Sequence, residues 1–147
     1  MKILAFNAYY EPEKAASIYL PRNIYEGFAE HGWDTALFVP VPTRGVDRET
    51  RNYYKRHQRE VRVNGKLKII RMRLYREGRN PILRAIRYVL MNAMFLLKAV
   101  HMSADMIFVQ STPPTQGAMA AVIKKLKKIP FVYNLQDVFP DSMVNAG

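Results

Sequence analysis

Cysteine is absent from the 147 residues. That excludes disulfides and thiolate metal sites. Histidine is scarce. His31, His57 and His101 lie far apart, none at the end of an expected strand, so no ligand cluster exists for a metal. Long apolar runs are also missing. The longest, Tyr88–Val100, is interrupted by Asn92 and Lys98, whereas a spanning helix needs about 20 apolar residues. No transmembrane segment is expected. Met1–Asn7 carries one charge and an apolar run too short for a signal peptide, and it reads as a first strand. Neither G-x-G-x-x-G nor a P-loop occurs, which argues against a dinucleotide or nucleoside-triphosphate site of those types. No cofactor is expected.

The chain is not short of apolar residues, which make up 49% and exclude disorder. Its length suits one domain with a real core. Acid is the underrepresented charge: 12 Asp and Glu face 23 Lys and Arg, a net of +11. The excess is local. Residues 44–79 hold thirteen basic residues against four acidic ones, while residues 1–43 hold three against five. A uniformly basic nucleic-acid binder would not show that asymmetry. Tyr53 and Tyr54 beside Lys55 and Arg56 are the only hint of a nucleic-acid surface, and no nucleic-acid partner is expected.

The patterning predicts alternating elements. Lys2–Asn7 reads as a buried parallel strand. A polar loop over Ala8–Ser17 precedes a helix that presents Ile24, Tyr25, Phe28 and Ala29 on one face and ends at Gly32. Asp34–Val39 is the second strand, followed by a long charged connection over Pro40–Tyr54. Glu60–Asn64 and Leu67–Met72 flank Asn64-Gly65, a two-residue hairpin signal. Asn80-Pro81 opens a helix that runs to about Met102. Ala104–Gln110 is a strand, and Ser111–Thr115 a turn. Thr115 is placed to cap a helix over Gln116–Lys128, whose terminal lysines complement its dipole. Pro130–Gln136 is the last strand. The expected fold is α/β: a Rossmann-like, doubly wound, mostly parallel sheet with helices on both faces, plus a β-hairpin near 60–72.

In such sheets ligands bind outside the carboxyl ends of the strands. Three segments then converge on one crevice: Asn7–Ser17, Gln110–Thr115 and Gln136–Asp141. The candidate lining residues are Asn7, Tyr9, Tyr10, Glu13, Ala15, Ala16, Ser17, Gln110, Ser111, Thr112, Gln136 and Asp141. Asp137 is the candidate catalytic residue: an acid at a strand end can act as general base or orient a hydroxyl, and it can equally cap a following helical turn. Asp141, after Pro140, fits a cap, and the Ser111–Thr115 hydroxyls can cap the helix beyond them.

Four segments resemble a known family when taken in order: Tyr9-Tyr-Glu-Pro-Glu13, Ala29-Glu-His-Gly-Trp-Asp34, Gln110-Ser-Thr-Pro-Pro114 and Pro130-Phe-Val-Tyr-Asn-Leu-Gln-Asp-Val-Phe-Pro-Asp-Ser142. The chain resembles the N-terminal half of the retaining GT-B glycosyltransferases, in particular the amino-sugar transferases of bacterial O-antigen and capsule synthesis. The resemblance implies a truncated acceptor-side domain over residues 1–147, inactive alone and metal-independent. A second Rossmann-like domain would hold most contacts to a nucleotide-sugar donor, and the acceptor would be a polyprenyl-diphosphate-linked saccharide. The implied location is cytoplasmic, peripheral at the inner membrane. Two positions depart from the family pattern. Ala15-Ala16 stands where a Gly-Gly pair is usual, so methyl groups hinder close approach to a diphosphate. Gln136 stands where His is common, and it cannot act as a base although it can hydrogen-bond a hydroxyl.

The basic block, with the helix after Asn80, suits an anionic membrane surface through Arg73, Arg76, Arg79, Arg84 and Arg87. A merely solvated face is the less favoured reading. An unfinished sheet edge would favour a homo-oligomer. The alternative to the transferase is a non-catalytic α/β module that binds a membrane surface or a partner protein.

Overall fold

The computed structural model describes residues 1–14 and 19–136. Ten elements follow one another: β1 (Lys2–Phe6), α1 (Tyr19–Glu30), β2 (Asp34–Pro40), α2 (Arg48–Arg56), β3 (Arg59–Arg62), β4 (Leu67–Met72), α3 (Pro81–His101), β5 (Met106–Gln110), α4 (Thr115–Lys127) and β6 (Phe131–Asn134). The strands form one sheet in the order β3-β4-β2-β1-β5-β6. Every pairing is parallel except β3 with β4. This is the Rossmann-like α/β architecture the patterning predicts.

Alternation along buried strands explains the two layers. Ile3 and Ala5 of β1, Leu37 and Val39 of β2, Leu67 and Ile69 of β4, and Phe108 of β5 enter one core. There they meet Tyr25 and Ala29 of α1. Leu4, Phe6, Phe38, Met72, Ile107 and Val109 enter the other, against Met91, Phe95 and Ala99 of α3 and Met119, Ala120 and Ile123 of α4. The spacing 91, 95, 99 is one face of a helix. Aromatic rings fill both layers: Phe6 lies 5.0 Å from Phe95, and Phe108 meets Tyr25 edge-on at 5.9 Å. Each buried aromatic of this kind contributes a few kcal/mol through the area it removes from water.

Local signals account for most boundaries. Asn80 caps α3 by accepting from the N–H groups of Ile82 and Leu83. Lys66 N–H closes the hairpin turn on Val63 O at 3.0 Å around Asn64-Gly65. Val63 itself also adopts a positive φ of 49°, which is unusual for a β-branched residue. Two expectations are corrected. The connection after β2 is not irregular throughout: it contains α2, capped by Asp47, whose side chain accepts from Thr50 N–H. Thr115 does not cap α4. Its hydroxyl accepts from Asn92 Nδ2 at 2.7 Å, so it ties α4 to α3 instead. Lys127 likewise serves the neighbouring helix, donating to Ala99 O at 2.8 Å and to Met102 O at the end of α3.

Candidate functional site

The chain runs from β1 outward through β2 to β4, then returns to β5 on the other side of β1. The loops after β1 and β5 therefore part at a topological switch point, where open α/β sheets leave a crevice. The described parts of the expected segments do meet here, but mostly as a buried polar network. Gln110 is 3% exposed; its Nε2 donates to Tyr25 Oη at 3.3 Å, and its Oε1 accepts from Asn134 Nδ2 at 2.8 Å. Burial pushes the Tyr25 phenol well above its ordinary value. Asn7 is buried beside this chain of contacts; its Oδ1 accepts from Tyr9 N–H, and its Nδ2 has no partner among the described residues.

Tyr9, Tyr10 and Glu13 hold the loop rather than line an open cleft. Glu13 is 4% exposed, and its carboxylate accepts from the N–H groups of Thr43 (2.6 Å), Arg44 (3.0 Å) and Tyr10 (3.3 Å). Burial raises its pKa while these three donors oppose the rise. The loop after β1 is thereby clamped to the loop after β2. Gly45 completes the clamp at φ 61°, where a Cβ would stand 2.6 Å from Lys14 Cβ. The Tyr10 ring is 1% exposed, and its hydroxyl has no partner among the described residues.

Tyr9 joins a third network. Its hydroxyl donates to the Glu77 carboxylate at 3.1 Å and lies 2.7 Å from Tyr88 Oη. With the Tyr9 proton engaged by Glu77, Tyr88 is the donor of that second bond. The Arg44 guanidinium sits 4.0 Å above the Tyr9 ring and grips Glu77 with two nitrogens, at 2.8 and 3.2 Å. Burial works to raise the Glu77 carboxyl, but the Arg44 and Tyr9 hydrogen bonds outweigh it and hold the pKa below the usual range.

At the rim, Ser111 Oγ accepts from Gln136 N–H at 3.2 Å. Thr112 and Gln136 are exposed there. Of the cleft-lining residues expected from sequence, Asn7, Tyr9, Tyr10, Glu13, Gln110 and Ser111 are buried, and only Thr112 and Gln136 are exposed to solvent among the described residues. The reason is chemical. These polar side chains satisfy one another and the loop backbones, and a group so engaged is costly to leave unpaired. Ala15, Ala16, Ser17, Asp137 and Asp141 lie outside the described residues.

Arg87 requires the plainest correction. It is 1% exposed and donates from Nη1 to Tyr75 O at 3.0 Å, so it is not part of any surface patch. Arg73, Arg76, Arg79 and Arg84 are exposed. No helix among the described residues is long and apolar enough to cross a membrane.

Glu77, Tyr88, Arg44 and Asn134 were not singled out in the sequence. Only Asn134 carried a signal, standing at the end of the last strand opposite Gln110 in register. The others are brought together by the packing of α3 and the loop after β4.

Neither a family model nor a curated protein matches the chain. Among solved structures, the chain is similar in fold to the C-terminal domain of PF1911 hydrogenase from Pyrococcus furiosus. One crystal structure of that domain superposes with a TM-score of 0.57 at 14% identity, covering 91% of this chain and 90% of that one. A second gives 0.58 at 15% identity, covering 90% of each. The likeness defines a class, the Rossmann-like α/β fold. At this identity it extends to the fold alone.

Proposed function

We propose that this chain is the acceptor-side domain of a glycosyltransferase that moves a sugar from a nucleotide-sugar to a lipid-linked saccharide in bacterial surface polysaccharide synthesis. The observation that carries the reading is the meeting of three loops at the switch point of the sheet, with Thr112 and Gln136 open to solvent above the Gln110–Asn134 pair. The resemblance of the Pro130–Ser142 segment supports it. In this reading Gln136 hydrogen-bonds an acceptor hydroxyl, and Asp137, next in the chain, orients or deprotonates it. Donor contacts belong mainly to a second domain, so this chain binds acceptor without transferring sugar.

The test is titration of the chain with a farnesyl-diphosphate-linked N-acetylhexosamine, compared with farnesyl diphosphate. Saturable binding, tighter with the sugar than without, is expected. Thr112→Ala with Gln136→Ala should remove the advantage of the sugar. Equal affinity for the two ligands would sink the reading.

A second reading is a non-catalytic module docked on an anionic membrane surface. It is favoured by the outer face of α3, where Ile82 (69%), Leu83, Ile86, Val89 and Leu90 are exposed beside Arg79 and Arg84. Each basic side chain near such a surface contributes about 1 kcal/mol. Co-sedimentation with phosphatidylglycerol vesicles tests it. Binding lost on Ile82→Ser with Ile86→Ser is expected, and absence of binding at low salt would refute it.

A further inference from the structure

A concentration of uncompensated charge lies away from the Gln110–Gln136 rim. A cavity of about 430 Å³ opens between α2 and the loop after β4. Arg48, Arg51, Asn52 and Lys55 come from α2, and Arg76 from the loop. Thr43 and Asp47, from the connection after β2, close it. Four cations therefore face one carboxylate, and that carboxylate is already engaged as the cap of α2.

Two neighbouring cations are paired. Arg44 is held by Glu77, and Arg62 by Glu11, Glu26 and Glu60. Arg48, Arg51, Lys55 and Arg76 have no carboxylate within ion-pair distance among the described residues. Arg51 is the telling case. Its Nε is buried with no hydrogen-bond partner among the described residues. Burial first, then repulsion from Arg76 and Arg87, lower its affinity for its own proton. A fold has no stability reason to gather like charges around an unsatisfied guanidinium donor, and such arrangements mark sites whose partner is a ligand. Guanidinium groups bind the oxygens of phosphate in paired, planar fashion. A second cavity shares Thr43 and Arg76 with the first and adds Arg79 and Arg84, so the cationic surface continues towards the exposed start of α3.

We propose that the cavity bounded by Arg48, Arg51, Lys55 and Arg76 is a binding site for a phosphate or diphosphate group. It lies beyond the carboxyl ends of β2 and β4, on the same edge of the sheet as the switch point, and it does not depend on the glycosyl-transfer reading. Arg51 and Arg76 make the central contacts, Arg48 and Lys55 balance the remaining charge, and Asn52 and the Thr43 hydroxyl are available to hydrogen-bond phosphoryl oxygens.

The experiment is calorimetric titration of the full chain with inorganic pyrophosphate, in parallel with Arg51→Gln, Arg76→Gln and the control Arg59→Gln, which neutralises a basic residue on β3 outside the cavity. Saturable binding to wild type is expected, weakened at least tenfold in each cavity variant and less than twofold in the control. Thermal melts guard against misfolding. Removing a charge from a repulsive cluster should leave the ligand-free melting temperature unchanged or raised, while abolishing the upward shift caused by pyrophosphate. Geranyl diphosphate and uridine diphosphate distinguish the source of the group: a tighter geranyl ligand assigns a lipid diphosphate, a tighter uridine ligand a soluble nucleotide. The proposal is overturned if pyrophosphate does not saturate the chain at millimolar concentration. It is equally overturned if the control weakens binding as much as the cavity variants, or if anionic vesicles alone bind and Arg51→Gln leaves that binding intact.

Discussion

Replacing Glu77 by Ala tests how the crevice loops are held. The substitution strips Arg44 of both its hydrogen bonds and Tyr9 of its acceptor. The Glu77 side chain is 5% exposed and the Arg44 side chain 40%, so the pair lies between two regimes. Breaking a fully buried pair costs about 3–5 kcal/mol, and an exposed pair contributes about 0–1. An intermediate loss of about 2 kcal/mol is expected. For a domain of this size that lowers the melting temperature by roughly 4–8 °C. A double-mutant cycle with Arg44→Ala should return a coupling of about 1–2 kcal/mol. The pH dependence supplies an independent check through Glu77→Gln. Because Glu77 titrates below its unfolded value, its contribution is complete above about pH 4.3 and disappears as pH falls through the lower folded pKa. The gap in stability between wild type and Glu77→Gln should therefore be full above about pH 4.3 and narrow as pH falls below it. An unchanged melting temperature for Glu77→Ala, a coupling near zero, or a gap that does not narrow as pH falls would refute the role assigned to this network.

Gly45→Ala forces an L-residue into the left-handed region and presses its Cβ against Lys14 Cβ, so a loss of more than about 1 kcal/mol is expected in the urea midpoint. Tyr25→Phe removes the acceptor of Gln110 Nε2 in a dry core and should cost about 1–3 kcal/mol; a neutral effect by the same measurement would show that the amide finds another partner. Asn80→Ala uncaps α3 and should cost about 1 kcal/mol, visible as a lower helical signal at its melting midpoint, with Asn80→Asp retaining most of the stability.

The architecture was largely legible in the sequence because strands buried on both faces must be short and apolar, as Lys2–Phe6 and Met106–Gln110 are. The helix over Arg48–Arg56 was not. Apart from Tyr53 and Tyr54 its residues are charged or polar and none is buried, so apolar periodicity, the main signal, is missing; only Asp47 as a cap announces it. The basic block was visible as composition, but composition does not separate the buried Arg87 from the exposed Arg84, three positions earlier on the same helix.

The sequence by itself determined the order of elements, the turns at Gly32 and Asn64-Gly65, and which segments end at the carboxyl edge of the sheet, because these follow from local sterics and from the period of apolar residues. Tertiary structure alone decided which polar residues face solvent. Gln110, Glu13 and Tyr9 look like site residues in the chain, yet their partners Tyr25, Thr43 and Glu77 stand 85, 30 and 68 positions away. Burial of a polar side chain is affordable only where such a partner arrives, and which partner arrives is settled when the layers pack. The same packing left Arg51 without a carboxylate among the described residues, and no reading of the chain residue by residue could show that.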